Sequence, residues 1–243
     1  MTLIDARPDI ILTGVAGYIG ELLAKRFCEE HHRVFGIDIL RPNFTHQNFF
    51  FYAVDLLNTT DREMLVRELQ RVISARGGKG QATLFHLAGI SNQAVCQKNP
   101  DRCLEINKML VRGLLTSSLV SHVDRHVFLS SAQLYLRAGS EPLSEEAELS
   151  LDSAYAESKY LAEQDLKAFA DKQESKVRAI RISNTYSNSF KSGTVFEKIY
   201  SQIQSGSVVV VDDLQPVRDF IHIDDVIEGL VRLMSCPWTK SYE

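Results

Sequence analysis

A chain of 243 residues, 44% of them hydrophobic, is long enough to bury one sizeable core together with a small appended lobe. Its net charge is −4 and its basic residues are spread rather than clustered, so the electrostatic footprint of a nucleic-acid binder is missing and a small molecule is the expected partner. The opening MTLIDARPD has no signal-peptide character, and no apolar run approaches the roughly 18 residues that span a bilayer. A soluble, cytoplasmic protein without a membrane partner is expected.

In chain order, short apolar runs alternate with longer segments of helical period, the pattern of a parallel sheet wrapped by crossover helices, so the predicted class is α/β, a doubly wound sheet of the Rossmann type. Strands are predicted at Ile10–Thr13, Val34–Asp38, Phe49–Val54, Thr83–Leu87, His126–Ser130 and Val177–Ile182, with helices near 18–31, 60–75, 100–121, 155–173 and 224–234. The aromatic run Phe49-Phe50-Phe51-Tyr52 reads as strand core. After Asn184 the pattern loosens: Phe190–Gly206 reads as an exposed helix and turn, followed by the apolar run Val208–Val211. The expected organisation is a dinucleotide-binding domain over residues 1–187 and a reduced substrate lobe over 188–243, with 218–235 packing back on the first domain. Cys28, Cys96, Cys103 and Cys236 form no C-x-x-C pair and are read as reduced thiols, mostly packing.

Directly after the first strand comes Gly14-Val-Ala-Gly17-Tyr-Ile-Gly20, where the helical pattern begins. Glycines so spaced let the backbone turn tightly and approach a pyrophosphate, and a helix N-terminus offers its N–H groups to the anion. The spacing is G-x-x-G-x-x-G, and such a triplet can also be plain strand-to-helix punctuation. The second strand ends at Asp38, 18 residues beyond Gly20, where a carboxylate can accept from both ribose hydroxyls and repel a 2′-phosphate. That favours NAD over NADP, with Arg41 near enough to offset the preference. Asp55 reads either as an adenine contact or as a solvated turn residue. Gly77-Gly78-Lys79-Gly80 resembles a phosphate loop, but no Ser or Thr follows the lysine, and a turn is the better reading.

Tyr155-Ala-Glu-Ser-Lys159 puts a phenol and an ammonium one helical turn apart, on one face. Ser131 follows a predicted strand, and ligands of parallel sheets bind beyond the carboxyl ends of the strands, so the three side chains can converge. His86 and His222 lie in apolar runs and read as core or backbone-bonding residues, and no ligand spacing supports a metal site.

Taken together with His86-Leu-Ala-Gly89, Asn107, Ser130-Ser131-Ala-Gln-Leu-Tyr135, Arg181-Ile-Ser-Asn184 and Arg218-Asp-Phe-Ile-His-Ile-Asp-Asp225, these motifs resemble the extended short-chain dehydrogenase/reductases, in particular the NAD-dependent epimerases and dehydratases of nucleotide sugars. The resemblance covers nearly the whole chain. It implies Tyr155 as acid/base, Lys159 lowering the phenol's pKa and holding the nicotinamide ribose, and Ser131 positioning the reacting sugar oxygen. It further implies NAD held by Gly14, Gly17, Tyr18, Ile19, Gly20, Asp38, Asp55, Leu56, Leu87, Ala88, Gly89, Asn107, Tyr155 and Lys159, and a nucleotide sugar met by Ser131, Gln133, Asn184 and Arg218. Arg218 can equally form a local ion pair with Asp219. Related enzymes often pair through a helical face, so a homodimer is compatible with the resemblance.

Three departures qualify it. Where dehydratases carry Asp-Glu after the catalytic hydroxyl residue, this chain has Ala132-Gln133, which argues against elimination of water. The usual Gly-Pro after the Asn184 region is Ser187-Asn188, and Leu136 replaces a small residue after Tyr135. Family members also continue for some tens of residues past the helix that opens at Asp224-Asp225. The expected function is an NAD-dependent epimerase working through a transient keto intermediate. A reductase or dehydrogenase of a keto-sugar or other alcohol is the alternative, and a non-catalytic dinucleotide sensor or scaffold the second.

Overall fold

The computed structural model describes residues 7–75, 82–136, 142–173, 175–187, 195–211 and 218–243. The Gly77–Gly80 turn and Asn188 lie outside the described residues. Six parallel strands, β1 (Asp9–Thr13), β2 (Val34–Asp38), β3 (Phe49–Ala53), β4 (Ala82–His86), β5 (Arg125–Ser131) and β6 (Lys176–Ile182), form one sheet in the order β3-β2-β1-β4-β5-β6. The order reverses between β1 and β4, which opens a crevice at the carboxyl ends of those two strands. β1 and β4 are buried on both faces, which is why they read as unbroken apolar runs. Asp9 opens β1 fully buried because Arg33, directly before β2, grips its carboxylate, Nε to Oδ1 at 2.9 Å.

The period-2 alternation of the strands sorts the core onto two faces. Ile10 and Leu12 pack with Leu23 and Phe27 of α1 (Tyr18–Glu29), while Ile11 packs with Leu65 and Leu69 of α2 (Thr59–Ser74). On the second face α6 (Ala154–Gln173) adds Ala162, Leu166 and Ala170 over Phe128. The Asn58 side chain caps α2 by accepting from the N–H groups of Thr60 and Asp61.

Three expectations are corrected. The helix predicted over 100–121 is broken: α3 (Gln93–Lys98) and α4 (Pro100–Leu104) lead into a π-helical turn at Glu105–Met109, then α5 (Leu110–Leu115) and a 3₁₀ turn at Ser118–His122. β3 is an edge strand, so its aromatic run is half-covered rather than core, with Phe50 stacked on Phe35 yet 42% exposed. In the apolar run after Gly206, Val208 and Val210 face solvent. Cys96 and Cys103 are joined in a disulfide rather than held as two thiols, because α3 and α4 fold back on each other across Asn99 and bring the sulfurs together. Cys28 is a buried free thiol, pushed up to about 12 chiefly by desolvation, and Cys236 is free and exposed.

Beyond β6 the chain forms a two-stranded parallel sheet of β7 (Asn184–Tyr186) and β8 (Phe220–His222), with α7 (Val195–Gln204) between them in sequence. A last helix, α8 (Ile223–Arg232), returns to pack against α1 through Ile223, Val226, Ile227 and Leu230. His222 caps it, its Nδ1 accepting from the Asp224 N–H at 3.3 Å, a backbone-bonding role as expected. Finally, residues 241–243 run beside β6, with Val177 N–H donating to the Ser241 carbonyl at 2.8 Å.

Candidate active site

Gly14, Gly17 and Gly20 line the turn from β1 into α1. Gly14 sits at φ +72°, and a Cβ there would meet the Ala88 backbone nitrogen at 2.6 Å, so the loop after β4 closes against it. A Cβ on Gly20 would run into the Gly14 carbonyl. No described side chain caps α1, whose N-cap is Gly17, so no side chain competes for the helix's first N–H groups. Asp38, at the end of β2, holds this loop: its carboxylate accepts from Ala16 N–H and from Leu40 N–H, each at 3.0 Å. Arg41 lies over the Phe51 ring at 5.7 Å, and Asp55 accepts from Leu57 N–H in a turn. Tyr18 and Ile19 lie on the first turn of α1, partly buried against the core, and Leu56 is buried after β3.

Thr13, which the sequence reading passed over, ties the two loops together. Its hydroxyl oxygen accepts from Leu87 N–H and Ala88 N–H, both at 3.2 Å. A threonine as the last residue of an apolar strand, directly before the first glycine, is the signal that could have found it. Asn107 closes the other side of the 87–90 loop: its Oδ1 accepts from Ile90 N–H at 2.7 Å and its Nδ2 donates to Ile90 O at 3.1 Å. The amide thereby pairs both backbone groups of Ile90 as a strand would, and it reaches Ser158 Oγ at 2.9 Å. Asn107 sits within the π-helical turn, and the widened turn brings it inward to 1% exposure. In this arrangement Asn107 positions the loop.

Ser131, Tyr155 and Lys159 are brought together at the carboxyl end of β5, each about 5–6% exposed. Ser131 caps a short 3₁₀ turn (Ala132–Leu134), its Oγ accepting from Gln133 N–H at 3.2 Å, which leaves its own O–H to donate. Burial raises the Tyr155 phenol above its ordinary value, and a hydrogen bond with Ser131 opposes that shift. Lys159 Nζ donates to the Leu129 carbonyl at 2.8 Å and lies over the Phe128 ring at 4.8 Å. Desolvation lowers it to about 8, with the carboxylate of Glu163 pulling the other way. The phenol stands raised by its own desolvation, while the Lys159 ammonium is turned toward the β5 backbone. Nζ also lies 3.7 Å from where a Gly89 side chain would begin, so lysine and loop face one another.

Glu163, one turn further along α6, is 1% exposed and held by Arg181 of β6 through Nε at 3.0 Å and Nη2 at 2.7 Å. Arg181 in turn lies over Tyr135 at 4.9 Å. The pair braces α6, β6 and the Ser131 loop, and buried acid-base spacing across two elements is not readable from sequence.

The substrate-side residues are less enclosed. Asn184 donates from both its backbone N–H and its Nδ2 to the Asp219 carbonyl at 3.1 Å, joining β7 to β8. Arg218 is exposed two residues before β8, and Gln133 is half-buried beside Ser131. Tyr186, Phe196, Phe220 and His222 form an aromatic cluster next to them. His86 is not at the site: it stacks on His126 inside the sheet, Nε2 to Nδ1 at 3.1 Å. Among the described residues no group of three or more His, Cys, Asp or Glu could hold a metal ion.

Residues 10–241 match the family described as the NAD dependent epimerase/dehydratase family. The chain belongs to that family. Its cofactor is NAD, and the open Gly17 turn, the Asp38 carboxylate and the Lys159–Gly89 approach fit a dinucleotide laid across the crevice. Among curated relatives, dTDP-4-dehydro-6-deoxyglucose reductase of Escherichia coli is 26% identical, with 93% of this chain and 73% of the relative aligned. A putative UDP-glucose 4-epimerase of Methanocaldococcus jannaschii is 24% identical over 94% and 73%. Among solved structures, UDP-glucuronic acid 4-epimerase from Bacillus cereus, in complex with UDP-glucuronic acid and NAD, superposes with a TM-score of 0.80 at 22% identity, covering 96% of this chain and 76% of that one. The likeness confirms the fold of the family.

Proposed function

We propose that this protein is an NAD-dependent epimerase of a nucleotide-activated sugar, working through a transient keto form of the sugar. The observation that carries the reading is the buried convergence of Ser131, Tyr155 and Lys159 at the carboxyl end of β5, beside the loop that faces the glycine turn. Gly14, Gly17, Gly20 and the first turn of α1 would hold the pyrophosphate, Asp38 the adenosine ribose, and Leu87–Gly89 with Lys159 the nicotinamide end. When bound, NAD supplies the reversible two-electron oxidation of a secondary alcohol. Tyr155 accepts the proton of the sugar hydroxyl, and Ser131, fixed by Gln133 N–H, donates to the same oxygen. A phenol raised by burial needs a cation close by before it can act as a base, so Lys159 has to swing from the Leu129 carbonyl toward Tyr155 in the working complex. Asn184 and Arg218 would meet the diphosphate, and Gln133 the sugar.

Residues 188–243 are read as the substrate lobe, with 1–187 as the dinucleotide-binding domain. No described helix is long and apolar enough to cross a membrane. The reading includes a cytoplasmic setting and a homodimer paired through a helical face, checked by cell fractionation and by light scattering. A keto-sugar reductase is the second reading, favoured by the Escherichia coli relative that carries that name. Incubating the protein with UDP- and dTDP-hexoses, with and without added cofactor, decides between them by NMR of the products. An epimer formed without net change of cofactor supports the proposal. Consumption of reduced cofactor supports the reductase. Neither signal, with dinucleotide released on denaturation, favours a non-catalytic sensor.

A further inference from the structure

Among residues 91–100 every side chain is exposed except Cys96. This segment continues directly from the Gly89–Ile90 loop, and Cys96 anchors it by its disulfide to Cys103, which packs with Tyr155. Both sulfurs are fully buried, and each has an acceptor that only a protonated thiol can use: Ile90 O lies 4.0 Å from Cys96 Sγ, and Ala154 O lies 3.9 Å from Cys103 Sγ. Ile90 is the residue clamped by Asn107, and Ala154 precedes the catalytic tyrosine. Cys103 Sγ also lies 3.4 Å from Asn107 Nδ2 and 3.5 Å from Ser158 Oγ. Ser158 already gives its proton to the Tyr155 carbonyl at 2.8 Å, so in the Cys103–Ser158 contact the thiol is the donor, beside the Asn107 amide that donates to the same oxygen. The surroundings therefore satisfy both oxidation states, and the two states differ in hydrogen bonds made on either side of the site.

We propose that Cys96 and Cys103 form a reversible dithiol/disulfide site, closed by exchange with a small-molecule disulfide, which tethers residues 91–100 beside the catalytic tyrosine. In a reducing compartment a closed pair is of the transient, redox-sensing kind. One protein thiolate attacks the external disulfide and expels one thiolate, and the second attacks the mixed disulfide and expels the other. In sum, two protein S–H groups and one RS–SR become one protein S–S and two RSH, the protein sulfurs losing two electrons and the external disulfide gaining them. Opening frees the only buried side chain of a ten-residue segment, so the segment lifts and the sulfurs become accessible to the next exchange.

The consequence for the sugar rests on the epimerase reading, whereas the exchange itself does not. The test treats the full chain with oxidised or reduced glutathione, counts thiols by alkylation and mass, and follows amide hydrogen exchange over 87–107 together with the KM for a nucleotide sugar. The expected result is a closed bond under oxidant, slower exchange over 91–100, and a KM at least about fivefold lower than in the reduced protein, the low end of ordinary coupling between sites. Cys96→Ser, in oxidant, behaves as the reduced wild type. Cys96 and Cys103 still alkylated as thiols after oxidant, or a closed bond that leaves exchange unchanged, overturns the proposal; Cys28 and Cys236 count as thiols in both states. Redox-dependent exchange without any sugar turnover upholds the thiol site and counts against the epimerase reading alone.

Discussion

The sheet and the segment after it are held in different ways. In β1 and β4 every residue is buried, and the loops at their ends are fixed by buried side-chain amides and hydroxyls, Thr13 and Asn107 above all. In the segment that follows β6, α7 buries none of its residues and β7 and β8 have three residues each. The glycine-turn side is therefore pre-shaped before any ligand arrives, whereas the segment after β6 is assembled from short elements whose apolar faces are open. A site that binds one invariant cofactor gains from rigidity. On the proposed reading, the segment after β6 meets the sugar and can differ without disturbing the sheet.

Ways to break this contrast run from large to small. Tyr155→Phe removes the proton acceptor and keeps the packing, so turnover falls about 10²–10⁴-fold while calorimetric NAD affinity stays near wild type. Retained turnover would remove Tyr155 from its role. On the buried side, Asn107→Ala leaves both backbone groups of Ile90 without their partner, at about 1–3 kcal/mol each. The melting temperature should drop by about 2–4 °C for each kcal/mol, as scanning calorimetry would show. Leu166→Ala, on the buried face of α6, costs about 2–5 kcal/mol by the same measurement. Ile203→Ser on α7, 58% exposed, stays within about 0.5 kcal/mol. Equal losses at positions 166 and 203 would mean that α7 is covered in solution.

Acid probes the buried half by another route. Burial lowers His126 to about 3 and His86 well below its ordinary value, the neighbouring ring adding to the effect on His86. In the unfolded chain both titrate near 6.5, so between that value and about 3 the unfolded state binds more protons. Stability from this pair is whole above pH 6.5 and is lost as pH falls below it. Denaturant midpoints at several pH values should decline across that window, and His126→Phe should flatten the decline. An unchanged slope would place the rings in solvent.

Much of this was legible beforehand. The six strands follow from apolar runs, and the glycine turn and the Tyr155–Lys159 spacing follow from local backbone rules that need no long-range knowledge. What escaped was set by tertiary contact. The helix over 100–121 is interrupted at the π-helical turn that carries Asn107, whose bond to Ile90 spans 17 residues. The C-x₆-C spacing of Cys96 and Cys103 says nothing of distance until α3 and α4 turn back on each other.

The most direct test of the epimerase account supplies a UDP-hexose deuterated at C4, the carbon named in the 4-epimerases of like fold, without added cofactor, and follows the product by NMR. The account predicts an epimer that keeps its deuterium at that carbon. An epimer carrying hydrogen from solvent, or no epimer from a protein that holds NAD, would contradict it.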